Sequence, residues 1–233
     1  MDILIRPPSG SPLVRGFLSG DPQAARFYPS GSPGVLGSYQ TKAEEVSAAI
    51  SADARLLLTR VLQGGGADRE AKLQAFRERE GFAVTTGQQP GLFGGPLFTL
   101  YKALTAAALA RRLEAHLHRP VLPIFWVAAE DHDWEEVRRT WLLDPENVWT
   151  SVEIPVPAGS EYAPLHRVKL GSELDAAREQ FLKLLPDSDF AAQWRDLLQQ
   201  TYRAGETLPG AFARMLESLL ATLGVFVLSP EKP

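Results

Sequence analysis

Between residues 82 and 128 the apolar pattern changes its period twice. A short apolar run over 82–86 gives way to the glycine-rich stretch GQQPGLFGGP (87–96). A helical pattern then runs from about Pro96 to His116, and a second apolar run follows at 124–128. Alternation with period 2 marks a strand, and recurrence every 3.6 residues marks a helix. Strand, crossover helix and strand within about fifty residues form a βαβ unit, whose two strands run parallel in one sheet. An α/β fold with a parallel core follows. Pro96 suits the first helical position, where a missing N–H costs nothing, and Leu97, Leu100, Tyr101, Leu104 and Ala108 read as the buried stripe of that helix. Pro120 and Pro123 argue against pairing at 121–123, so the second strand is expected to begin at Ile124.

The flanking sequence is simpler. Residues 1–40, rich in Pro, Gly and Ser, read as an extended wrapping segment. A helix is expected from a Thr41 cap to Gln63, stopped by Gly64, Gly65 and Gly66, and another over 68–80, closed by Gly81. Residues 140–168 look like short strands and turns, with alternation over 149–156. Helical patterns follow at about 172–185, 190–203 and 208–223, and GVFVLS (224–229) reads as a third buried strand. A parallel strand reaching its end so near the last residue would leave a sheet edge bare, which proteins avoid. The expectation is an N-terminal portion of a longer protein.

With 233 residues and an apolar share of 45%, the chain can bury a proper core. No run approaches the ~20 apolar residues of a membrane span, and MDILIRPPSGSP lacks a signal-peptide core. A cytoplasmic protein with no membrane partner is expected. Having no cysteine, the chain offers neither a thiolate nucleophile nor a thiolate metal ligand. Its 24 basic and 28 acidic residues form no basic patch, so no nucleic-acid partner is expected.

Chemistry concentrates at the two strand ends. Glycines at 87, 91, 94 and 95 let a backbone approach an anion, and the following helix start offers unpaired N–H groups and a positive dipole end. The spacing matches neither GxxxxGK[ST] nor GxGxxG, so neither a P-loop nor a dinucleotide site follows. Gln88 and Gln89 add two amides at the strand's end. Lys102 leans back toward the same turn, although a solvated lysine would fit the sequence equally well. Twenty-eight residues later, EDHDWEE (130–136) follows the second strand. Extended geometry would put Glu130 and His132 on one side with Asp131 and Asp133 on the other, whereas helical geometry would pair Glu130 with Asp133. Carboxylates around one imidazole suit a general base or a hard-metal site. The alternative is an exposed helix start favoured by the dipole, which fits Asp133, Glu135 and Glu136 best. Phe125, Trp126 and Trp134 read as core or pocket wall.

TTGQQPGLFGGPLFTLYK followed by PIFWVAAEDHDWEEV resembles the cysteine-adding enzyme of bacillithiol biosynthesis, the cysteine ligase family, over the first half of that family's usual length. The resemblance implies a Rossmann-like core similar to nucleotidylyltransferases, a mainly helical connecting insertion at 140–223 and core segments at 1–139 and 224–233. It also implies a coiled-coil homodimer for the full-length protein. The reaction implied joins cysteine to glucosaminyl-malate. Thr86, Gly87, Gln88, Gln89, Gly91, Gly94 and Lys102 would line one wall of the cleft, opposite Glu130, Asp131, His132 and Asp133. Amide formation needs an activated carboxylate, for which ATP is a candidate that no residue pattern selects. His132 or Glu130 would then accept the amine proton and Lys102 would stabilise developing negative charge. Two rival readings remain at this level: a metal-dependent hydrolase or transferase built on EDHD, and a non-catalytic half that needs a complementary chain.

Overall fold

The structure, a computed structural model, describes residues 10–229. Its strands are β1 (Gln63–Gly64), β2 (Phe82–Gln88), β3 (Val121–Val127), β4 (Arg139–Leu143), β5 (Trp149–Glu153) and β6 (Phe226–Leu228). The main sheet has the order β1-β6-β3-β2. β2 and β3 run parallel in register from Phe82 opposite Val121 to Gln88 opposite Val127, and β6 joins β3 in parallel from Ile124 opposite Phe226. β4 and β5 form a separate antiparallel hairpin.

β3 is covered on both faces, which explains why its sequence is continuously apolar instead of alternating. Leu122 and Ile124 pack with Leu62, Leu73, Phe76 and Phe226, beneath α4 (Ala52–Val61) and α5 (Arg69–Glu78). Phe125 and Val127 face the larger cluster, which includes α6 (Phe98–Leu117), α8 (Ser172–Leu184), α9 (Ala191–Thr201) and α10 (Leu208–Leu219). A short α7 (Trp134–Val137) follows β3, and α3 (Leu36–Ala49) packs on α6.

Several expectations need correction. β3 begins at Val121 and carries Pro123 in its interior. Ala128 N–H donates to Gln88 O and Pro120 O accepts from Phe82, so even-numbered positions of β3 bond to β2. Pro123 therefore faces the β6 side, where pairing starts only at Ile124, and its missing donor costs no ladder bond. Residues from 10 onward are not extended: α1 (Pro12–Ser19) and α2 (Pro22–Ala25) are short helices with Ser11 and Asp21 as caps. The helix expected over 41–63 is two, because Ser51 caps a new start through its bond from Ala54 N–H. Gln63 and Gly64 then form β1, antiparallel to β6, so β6 is not the bare edge that its position in the chain suggests.

The stripe assigned to α6 is also different. Thr99, Ala103, Ala106, Ala107, Ala110 and Leu113 are buried, whereas Leu97, Tyr101, Leu104 and Ala108 are exposed. Alanines let the helix lie close on β2 and β3, and Leu100 is only partly buried at the margin of the core. Ala107→Leu, at a position 1% exposed, is expected to cost about 1–3 kcal/mol by overpacking. Leu104→Ala should stay within about 0.5 kcal/mol; urea unfolding of both variants checks the pair.

Candidate ligand cleft at the strand ends

Because β2 and β3 end together, the glycine turn and the acidic run leave the sheet at one level. Lys102, one turn into α6, reaches back to this edge. Its Nζ donates to Gly87 O at 3.2 Å and to Gln88 Oε1 at 2.8 Å, and lies 5.1 Å from the centre of the Phe98 ring. Gln88 Nε2 donates to Gln89 Oε1 at 3.1 Å, and Gln89 Nε2 donates to Glu136 Oε2 at 2.9 Å. A continuous polar chain thus crosses from one motif to the other. Both acceptors on Lys102 are neutral, and among the described residues it forms no ion pair. An ammonium has three donors, so one remains for a ligand.

The turn between β2 and α6 is tightly constrained. Leu92–Gly94 is a short 3₁₀ segment in which Phe93 has φ 52°, a left-handed conformation uncommon outside glycine. Gly94 has φ 99°, and a Cβ there would sit 2.8 Å from Met215 Cε. Gly87 serves close approach instead: a Cβ would sit 2.7 Å from Trp126 O on β3. Tyr202, fully buried, meets the turn from below. Gly94 N–H donates to Tyr202 Oη at 3.1 Å, and the Tyr202 hydroxyl donates to Gly91 O at 3.5 Å. Burial pushes the phenol's pKa well up, so it stays protonated. Behind the turn lies an apolar cavity of ≈ 350 Å³, lined by Gly94, Gly95, Leu100, Trp194 and Met215 among others.

α6 starts without a capping side chain. Thr99 and Leu100 N–H bond back to Pro96 O and Leu97 O, and the Leu97 and Phe98 amides have no acceptor among the described residues. Open amides at a helix start suit an anionic group, a carboxylate or a phosphate, and Lys102 adds a positive charge one turn further along the same helix.

The acidic run is neither strand nor helix until Trp134. Asp131 Oδ1 accepts from His132 N–H at 2.7 Å and Asp133 N–H at 3.2 Å, and Asp133 Oδ1 accepts from Glu136 N–H at 3.2 Å as the cap of α7. Both carboxylates are therefore engaged in shaping backbone. Glu130 and His132 are exposed; the imidazole is 65% exposed, with Nδ1 4.0 Å from Asp131 Oδ1. Among the described residues no hydrogen bond joins either of them to Lys102 or the glycine turn. Nor does any group of three or more His, Asp or Glu side chains there stand ready to hold a metal ion. Asp131, His132 and Asp133 instead border an open groove of ≈ 410 Å³ with Val156, Glu161 and Tyr162.

Gly87, Gln88, Gln89 and Lys102 are thus brought together, with Gly91 and Gly94 shaping the adjoining turn; Thr86 stands half-buried beside them, opposite Phe125. Phe125 and Trp134 are core, but Trp126 is 41% exposed. Three residues were not assigned to the site from sequence. Glu136 closes the polar chain, and its place in EDHDWEE was the available signal. His166 bonds through its amide and Nδ1 to Ala129 O, at 3.1 and 3.0 Å, and Tyr202 supports the turn. Nothing local in the sequence marks either one.

A parallel sheet whose strand ends carry a glycine turn, a lysine anchor and an acidic neighbour is a Rossmann-like domain with its cleft at the carboxyl edge. The chain belongs to the family described as Bacillithiol biosynthesis BshC, N-terminal Rossmann-like domain, whose family model matches residues 2–233. Relatives named "Putative cysteine ligase BshC" include that of Heliobacterium modesticaldum, 41% identical over 168 residues covering 71% of this chain and 30% of the relative. That of Salinibacter ruber is 31% identical over 219 residues (89% and 38%), and that of Carboxydothermus hydrogenoformans 32% over 229 residues (94% and 41%). The chain therefore spans well under half the length of these relatives.

Asp133→Ala is expected to destabilise the chain by about 1 kcal/mol through loss of the α7 cap, with Asp133→Asn retaining most of the stability. Chemical denaturation distinguishes the two variants; an unchanged midpoint in Asp133→Ala would show that the cap carries no weight.

Proposed function

We propose that this chain supplies one wall of the cleft of a carbon–nitrogen ligase that adds cysteine to glucosaminyl-malate in bacillithiol biosynthesis. The single observation that carries the reading is Lys102, an ammonium held by neutral acceptors at the end of β2, on the helix whose first amides are open. A fixed positive charge with a donor to spare can hold a carboxylate. It can also stabilise the negative charge that develops on a carbonyl oxygen under attack by an amine. The carbon–nitrogen bond forms as the activating group leaves the carboxyl carbon with its bonding electrons; the amine gives up a proton, and His132 or Glu130, exposed along the neighbouring strand end, is assigned as its acceptor. Gln88 and Gln89 orient the substrate, and Thr86, Gly87, Gly91 and Gly94 shape its wall; Asp131 and Asp133 hold the opposite loop. An ammonium with a donor to spare fits one anionic group, so ATP could place a phosphate here as readily as a substrate its carboxylate, and no step is assigned to the nucleotide.

Support comes from the family membership and from the relatives' shared name. In this reading 140–223 is the connecting insertion between core segments 1–139 and 224–233. The full-length protein is then a cytoplasmic homodimer joined by a coiled coil. Among the described residues no helix is long and apolar enough to cross a membrane.

In the full-length enzyme, Lys102→Ala is expected to lower kcat about 10²- to 10³-fold, the scale of losing one donor to a developing oxyanion. His132→Ala should cost about 10²-fold or more if it is the proton acceptor. Product formation from cysteine and glucosaminyl-malate, followed by mass spectrometry, measures both; unchanged turnover in both variants would sink the assignment.

A further inference from the structure

We propose that Tyr202, more than a hundred residues from the glycine turn in sequence, is a positioning residue that holds the turn in its ligand-binding conformation. The inference rests on the reading of that turn as a ligand wall. Among the described residues Tyr202 is the one side chain that hydrogen-bonds to the segment 91–95, and it does so at two points. Gly94 N–H and Gly91 O already close the 3₁₀ turn on each other at 3.1 Å, and the Tyr202 hydroxyl spans the same pair, accepting from one and donating to the other. Its ring meets the Phe93 ring edge-on at 5.1 Å, and the Phe181 ring also packs against that of Phe93, at 4.8 Å. The residue so gripped is the non-glycine residue of the turn that has a left-handed backbone. A conformation of that kind persists only where its surroundings over-determine it.

Tyr202 is itself held. Arg178 Nη1 donates to Tyr202 O at 2.6 Å and to Asp175 Oδ1 at 2.7 Å, and Asp175 accepts from Ala204 N–H. The C-terminal end of α9 is thereby tied to α8 before the phenol reaches the turn. Phenylalanine would fill the same space without a polar atom to satisfy, and a buried hydroxyl costs stability unless it is bonded. The hydroxyl's partners lie wholly within the turn, so its role lies there. Loosening Phe93 to Gly95 would displace the Leu97 and Phe98 amides and the first turn of α6, which carries Lys102 to the cleft. Misplacement on this scale is felt in binding far more than in fold.

The test compares Tyr202→Phe with Phe76→Leu, a core substitution on the opposite face of the sheet. In the full chain, amide hydrogen exchange at Gly94 and Gly95, whose N–H groups bond to Gly91 O and Leu92 O, is expected to quicken about five- to tenfold in Tyr202→Phe, the loss of roughly one hydrogen bond. Amides of β3 should change no more than in Phe76→Leu. Equal exchange at the turn in the two variants overturns the proposal. In the full-length ligase, Tyr202→Phe should raise KM about tenfold with a smaller effect on kcat, and Phe76→Leu should leave KM alone. If Lys102→Ala lowers turnover while Tyr202→Phe leaves KM unchanged, Tyr202 is core filling and the proposal fails. If Lys102→Ala has no effect, the ligand-wall reading has failed instead, and the exchange data still decide whether Tyr202 holds the turn.

Discussion

The parallel pairing of β2 with β3 is the constraint on which the rest depends. Seven residues on each strand are matched from Phe82 and Val121 to Gln88 and Val127, so two motifs separated in sequence by a twenty-residue helix end at one height. A slip of one residue would turn every side chain of a strand to its other face. β3 cannot tolerate that slip, because Phe125 and Val127 are buried in one cluster while Leu122 and Ile124 are buried in another. Register in the core is thus what brings Gln89 within reach of Glu136.

Electrostatically the cleft is asymmetric. One side carries a lysine whose partners are a carbonyl and an amide, neither of which neutralises it. The other carries several carboxylates, of which two are occupied with backbone N–H groups and one with Gln89. Those engaged acids are less available to bind a cation than their number suggests, and the lysine is more available to an anion than its half-buried position suggests. The exposed Glu130 and His132 are the members of the run not consumed by local structure.

Much of this was legible in the sequence because local chemistry carried it. The change of period around GQQPGLFGGP marks strand, turn and helix, and the resemblance of the two motifs anticipates the family. What escaped was set by tertiary context. Pro123 looked incompatible with a strand because its tolerance depends on how far β6 extends. Leu97, Tyr101 and Leu104 looked buried because size usually wins the core position, whereas here close approach to the sheet favours alanine. The break at Ser51 was hidden by apolar spacing that stays helical on both sides of it. Contacts such as Tyr202 to Gly94 and His166 to Ala129 join residues far apart in the chain, and no local pattern encodes them.

The alanine face of α6 has a consequence outside stability. Lys102 spans from its helix to the end of β2 only because Ala103, Ala106 and Ala107 set how far that helix stands off the sheet. Those methyl groups act as a spacer gauge for the cleft. A larger side chain at any of these positions would lift the helix and draw the ammonium away from the β2 end, so a change that never touches the strand-end groups would still be felt there.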